Sequence, residues 1–164
     1  MICCITGHRP ERFLFKRNED TKAFVAYQER LLNVVQNLID DGYNHFISGM
    51  AEGADIDFVY AVLKLRTEET ITLEAALPCP YSTKKTTDKS RLLNIIDKIT
   101  IVSDHYYKGC MQKRNKYMVD QSDLVIAVWD GKTVGGTWNT IKYAKSKEKQ
   151  VIYIMLCDIS TTNY

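Results

Sequence analysis

Apolar positions recur along this chain in two rhythms that take turns from one end to the other. Residues 2–6 are a short β-branched and apolar run, the pattern of a buried strand. Polar residues with Pro10 mark a loop over 7–20. From Thr21 to Asp41, Phe24, Tyr27, Leu31, Val34, Val35 and Leu38 fall at helical spacing, and Gly42 ends that helix. His45 to Ile47 reads as a second strand. Ala54 to Leu65 reads as a helix with Phe58, Val59, Val62 and Leu63 inward. Thr70 to Leu77 alternates and stops at Pro78-Cys79-Pro80, as a strand leaving a sheet does. Beyond it the pattern predicts a helix over Lys89–Ile99, a short strand over Thr100–Val102 and a helix over Gly109–Gln121. A strongly apolar strand over Leu124–Val128, a helix over Thr137–Ser146 and a last strand over Val151–Leu156 complete the series.

Strand and helix alternate throughout, which demands crossover connections and a mostly parallel sheet covered on both faces. With right-handed crossovers the simplest solution is an α/β fold, a single Rossmann-like doubly wound sheet over residues 1–164. No linker, repeat or low-complexity segment divides it. In such a fold, ligands bind outside the carboxyl ends of the strands, at the switch in strand order.

Composition narrows the class. The chain has 164 residues, enough to bury a core without disulfides or metals. A net charge of +2 gives no nucleic-acid surface by itself. The basic cluster from Lys142 to Lys149 suits a solvated helix end. The five cysteines are odd in number and lack CxxC spacing, so neither a zinc site nor a disulfide framework is expected. Cys3, Cys4 and Cys157 fall in apolar strand-like runs and read as small buried hydrophobes. Reduced thiols, no signal-peptide pattern and no apolar run of membrane-spanning length point to the cytoplasm.

The chemistry collects where strands end. Thr6-Gly7-His8-Arg9-Pro10 offers close backbone approach at Gly7, an imidazole at His8 and an anion fork at Arg9; the alternative is an ordinary strand-ending loop. In Ser48-Gly49-Met50-Ala51-Glu52-Gly53-Ala54-Asp55, Ser48 and Gly49 can hold a phosphate or ribose. Glu52, at the loop crest, can hydrogen-bond ribose hydroxyls or act as a general base. Asp55 either meets ligand or complements the dipole of the helix it opens. On the helix from Gly109, Arg114 and Asn115 either face the cleft or belong to a solvated surface. Trp129-Asp130-Gly131, then Gly135-Gly136-Thr137, is a strand, glycine pair and helix start suited to a phosphate, with Thr137 as N-cap in the empty state. Trp129 either stacks on a base or seals the core. Neither GxxxxGK[ST] nor GxGxxG occurs, and no cofactor is implied. His8, His45 and His105 lack metal-ligand spacing, and no Ser/His/Asp triad assembles.

The ordered motifs TGHRP, SGMAEGAD and CMQKRNKYMVDQSDLVIAVWDGKTVGGTWNTIKYA resemble the YpsA-like branch of the SLOG superfamily. That superfamily also contains the Smf/DprA DNA-processing proteins and the LOG phosphoribohydrolases. The resemblance covers nearly the whole chain. It implies a Rossmann-like sheet with a pocket for a nucleotide-derived molecule, and relatives that often form homodimers or higher homo-oligomers. Met111 to Thr140 is similar to the LOG region in which an arginine precedes a PGGxGTxxE loop. Arg114 falls on that arginine, and Gly135, Gly136 and Thr137 approximate the loop. Thr140 stands where the glutamate belongs, which removes the obvious acid/base group for N-glycosidic cleavage.

The first expectation is therefore a binding module, for sensing or sequestering a nucleotide-derived small molecule such as an ADP-ribose or NAD derivative or a nucleoside monophosphate. The second is a nucleotide N-glycosidase, with Glu52 and Arg114 as catalytic residues. The third is DprA-like single-stranded DNA binding, against which the near-neutral charge argues.

Overall fold

A computed structural model describes residues 1–17, 21–67, 70–80 and 87–160. The end of the loop expected over 7–20, residues 18–20, lies outside the described residues. Six strands form one sheet: β1 (Ile2–Gly7), β2 (His45–Ser48), β3 (Thr72–Leu77), β4 (Lys98–Ile101), β5 (Leu124–Trp129) and β6 (Gln150–Met155). Their order is β4-β3-β2-β1-β5-β6, and every pairing is parallel. The fold is thus α/β and Rossmann-like. The helices are α1 (Lys22–Asp40), α2 (Ala54–Leu65), α3 (Thr87–Leu93), α4 (Cys110–Gln121), α5 (Gly135–Ser146) and α6 (Leu156–Ser160).

Strand alternation sorts the core into two layers. Cys3, Ile5, Phe46, Leu73, Leu77, Ile126 and Val128 face the side covered by α1, α2 and α6. Cys4, Ile47, Ala76 and Val125 face the side where Met118 and Val119 of α4 and Ala144 of α5 pack. Helix α1 buries Phe24, Tyr27, Leu31, Val35 and Leu38, the stripe its spacing predicts. Gly42 follows it at φ +91°. Burial pushes the Cys4 thiol up to about 12, in keeping with a small hydrophobe.

Helix α1 opens on Thr21, whose hydroxyl accepts from Phe24 N–H at 3.4 Å and donates to the Lys16 carbonyl at 2.9 Å. Thr21→Ala removes this cap and is expected to cost about 1 kcal/mol, read as a lower chemical-denaturation midpoint at unchanged slope.

Several boundaries differ from the sequence expectation. Helix α3 stops at Leu93 rather than Ile99, and β4 covers Lys98–Ile101 rather than Thr100–Val102. Ile95 and Ile96 continue an apolar rhythm, but the chain turns there. Asp97 then fastens to β3, its N–H donating to the Leu73 carbonyl and its carboxylate accepting from Leu73 N–H. Helix α5 begins two residues before Thr137, so Thr137 lies inside the first turn and Val134 holds the N-cap position. The last strand gives way to α6 at Leu156, so half-buried Cys157 sits on a helix and not in a strand. Pro10–Arg12 is a turn of 3-10 helix inside the expected loop.

One polar cluster ties the far side of the sheet. Glu74 on β3 is 1% exposed. Its Oε1 accepts from Thr100 Oγ1 at 2.7 Å and Tyr117 OH at 2.8 Å, and Oε2 meets His45 Nε2 at 2.8 Å and Lys98 Nζ at 2.9 Å. Burial pushes its carboxyl up, but these four partners outweigh that and bring it down to about 2. Among the described residues, no helix is long and apolar enough to cross a membrane.

Candidate functional site

Strand order reverses beside β1, which lies between β2 and β5. At the carboxyl ends of these strands a cleft of about 240 Å³ opens. Strand β1 and the loop after it supply Thr6, Gly7, His8, Arg9 and Arg12; α2 supplies Asp55, α4 supplies Arg114 and Asn115, and α5 supplies Gly136 and Thr137. Gly7 is forced by packing: a Cβ there would lie 2.3 Å from Ala54 Cβ, where β1 touches α2.

Arg114 is the deepest cation of the cleft, 6% exposed. Its Nη1 donates to the Gly49 carbonyl and lies 3.9 Å from Asp55 Oδ2. Its Nε is buried and has no hydrogen-bond partner among the described residues. Gly49 makes the seat, because a Cβ there would fall 1.8 Å from Nη1. Burial raises the Asp55 carboxyl above its ordinary range, against the pull of Arg114 and the Ala51 N–H. Burial draws Arg114 down, but from so high a starting point that the guanidinium keeps its charge. An anion in the cleft therefore meets a fixed, under-partnered cation.

Helix α5 presents its N-terminal turn to the same cleft through Gly136 and Thr137. It starts without a side-chain cap, so its first-turn N–H groups lack intrahelical partners and carry the positive end of the dipole. A Cβ on Gly136 would meet nothing within 4 Å, so the helix start leaves open space above its backbone. Helix α2 is different: its Ala54 N–H already donates to the His8 carbonyl at 3.2 Å. Of the two helices compared, α2 and α5, it is α5 whose start is left open.

The loop before α5 is stapled from the segment that follows β1. Arg12 donates from Nη2 to Asp130 Oδ2 at 2.8 Å and from Nη1 to the Val134 carbonyl at 3.3 Å. Asp130 also meets His8 Nε2 at 2.8 Å, and His8 Nδ1 lies 3.2 Å from Thr137 Oγ1. Burial lowers the His8 pKa in spite of Asp130, which favours the neutral imidazole. Burial also pushes the Asp130 carboxyl up, but the Lys132 N–H, His8 and Arg12 bring it to about 2. Asn115 Nδ2 donates to Thr140 Oγ1, and that hydroxyl donates to the Gly136 carbonyl, both at 2.9 Å. Thr140 is thus spent on holding α5 to α4.

The structure gathers Gly7, His8, Arg9, Asp55, Arg114, Asn115, Gly136 and Thr137 on one cleft. Other expected residues fall elsewhere. Ser48 is fully buried, its hydroxyl donating to the Asp55 carbonyl and accepting from Met50 N–H. Gly49 acts from behind Arg114. Glu52 is exposed and lines a neighbouring cavity of about 250 Å³ with Lys89 and Ile56. Trp129 stacks on Trp138, ring centroids 5.4 Å apart, and donates to the Lys132 carbonyl. Gly135, at φ +88°, lies against Arg12. Arg12 and Asp130 were not singled out from sequence. Asp130 follows an apolar strand directly, which is a usable signal; Arg12 carries none, because its partners lie 118 and 122 residues away.

Residues 3–160 match the model of a family described as YpsA, the YspA SLOG family. The chain is also 30% identical over 141 residues to an uncharacterized SPbeta prophage-derived protein, YoqJ, of Bacillus subtilis (strain 168), covering 72% of this chain and 80% of the relative.

Proposed function

The chain belongs to the YspA SLOG family, and from its cleft we propose that it binds a nucleotide-derived small molecule through an anionic phosphate. One observation carries the reading: the buried guanidinium of Arg114, with Nε unpartnered among the described residues, shares a cleft with the start of α5, which has no side-chain cap. A phosphate between them accepts from backbone N–H groups on one side and from a charged fork on the other. Asn115 and Arg9 line the same cleft. The output is sensing or sequestering. Glu52 stands outside the cleft that holds Arg114, so the pair lacks the shared site that N-glycosidic hydrolysis requires.

Native mass spectrometry of freshly purified protein is expected to show a co-purifying nucleotide mass. Calorimetric titration with AMP and ADP-ribose is expected to show saturable binding without release of free base. Arg114→Ala should weaken that binding by about 1.5–3 kcal/mol at unchanged fold, the contribution of a charge-assisted hydrogen bond. Equal affinity in the variant would remove Arg114 from the site, and free base in the titration mixture would replace binding by turnover.

A further inference from the structure

His8 is 3% exposed at the cleft, and both of its ring nitrogens are engaged. Nε2 has two neighbours that ask opposite things of it. Asp130 Oδ1, at 2.8 Å, requires a proton on Nε2, whereas the Asp130 backbone N–H, at 3.1 Å, would donate to a lone pair there. The carboxylate decides. Its oxygens also accept from Arg12 Nη2 at 2.8 Å and Lys132 N–H at 3.0 Å, so it is held ionised. A bare lone pair facing a full negative charge in a buried place is strongly unfavourable, and a charge-assisted bond outweighs a neutral one. The proton therefore sits on Nε2, which leaves only a lone pair at Nδ1. Thr137 Oγ1, at 3.2 Å, has one hydrogen and must give it to Nδ1. What Thr137 turns toward the cleft is an oxygen lone pair.

We propose that Asp130 and His8 fix Thr137 as a hydrogen-bond acceptor, which makes it the specificity-determining residue of the cleft. The site then selects an anionic ligand that places a hydroxyl or a protonated oxygen beside its charge, and disfavours a fully deprotonated oxyanion at that point. A sugar phosphate has the required pairing: its charge suits the N–H groups of α5 and Arg114, and an adjacent hydroxyl suits Thr137. The ligand class rests on the nucleotide reading above; the proton order along Asp130, His8 and Thr137 does not.

The chain of bonds also has a direction that acid reverses. A second proton on His8 converts Nδ1 to a donor, and the Thr137 hydrogen swings toward the cleft. The other charged groups of the cleft are Arg9, Glu11, Arg12, Asp55 and Arg114, with Lys132 beside Asp130. Of these Asp55 and Glu11 are the carboxylates that acid can also neutralise, and a Thr137→Val variant keeps both contributions while losing the hydroxyl.

Two measurements test this. Nitrogen-15 NMR of the ligand-free protein at pH 7.5 should show His8 neutral with its proton on Nε2, moving to Nδ1 in Asp130→Asn. A proton on Nδ1, or a doubly protonated ring, in the parent protein overturns the proposal. Sulfate, which does not titrate in this range, should bind about tenfold more tightly at a pH below the His8 titration, located in the same spectra, than at pH 8. That gain should shrink in Thr137→Val; an equal gain in the variant also overturns it. Failure of AMP to bind at all would remove the nucleotide reading and leave both readouts standing.

Discussion

Glu74→Gln is expected to lower stability by roughly 3 kcal/mol at pH 7, seen as a fall of roughly 10 °C in Tm. The carboxylate is 1% exposed and takes four partners from β2, β4 and α4. Its carboxyl titrates at about 2 in the folded chain, against a starting value of 4.5. A folded pKa below the unfolded one means stability that is fully present above the unfolded value and is lost as pH falls toward the folded one. The parent protein should therefore lose this contribution between about pH 4.5 and pH 2. Glutamine has no such acid limb, and its amide hydrogens face donors already in place. Stability curves of parent and variant should converge on acidification. Parallel curves across that range would mean that the four partners do not hold Glu74 as the geometry indicates.

Gly49→Ala is expected to displace the deepest cation of the cleft, Arg114, without abolishing the fold. A Cβ at position 49 would lie 1.8 Å from Arg114 Nη1, 2.4 Å from its Cζ and 2.8 Å from Asp55 Oδ2. Arg114 ends a flexible stem, so the guanidinium leaves and the backbone stays. Overpacking of this kind costs about 1–3 kcal/mol of stability. AMP affinity should fall at least about tenfold, the loss expected for one charge-assisted bond. The decisive comparison is the double variant Gly49→Ala with Arg114→Ala, which should bind no worse than Arg114→Ala alone. Additive losses would show that Gly49 contributes something other than a seat for Arg114.

Strong periodicity made most elements legible in the sequence. The α1 stripe and the apolar strands β1 and β5 stand out because each buries one fixed set of positions. The α3–β4 junction was obscured because Ile95 and Ile96 extend a helical rhythm through a turn, and the edge position of β4 depends on pairing with β3. The cleft itself was legible through its glycines, which mark strand exits, and through Arg114, which the family resemblance singled out. Which side of a loop a residue faces was not. Glu52 and Trp129 occupy loop or strand-end positions indistinguishable in sequence from those of their neighbours, and only the crossing of elements sends one to the next cavity and the other onto Trp138. The Asp130–His8–Thr137 alignment joins residues up to 129 apart in the chain, and no local spacing encodes it.

The stacked indoles have a practical side. The chain holds two tryptophans, and their rings lie 9° from parallel on either side of the 130–134 loop. Intrinsic fluorescence of this protein is consequently a single-address signal, reporting on the segment that leads into α5. Its emission and its coupled ultraviolet ellipticity provide a label-free optical gauge of that segment during any titration.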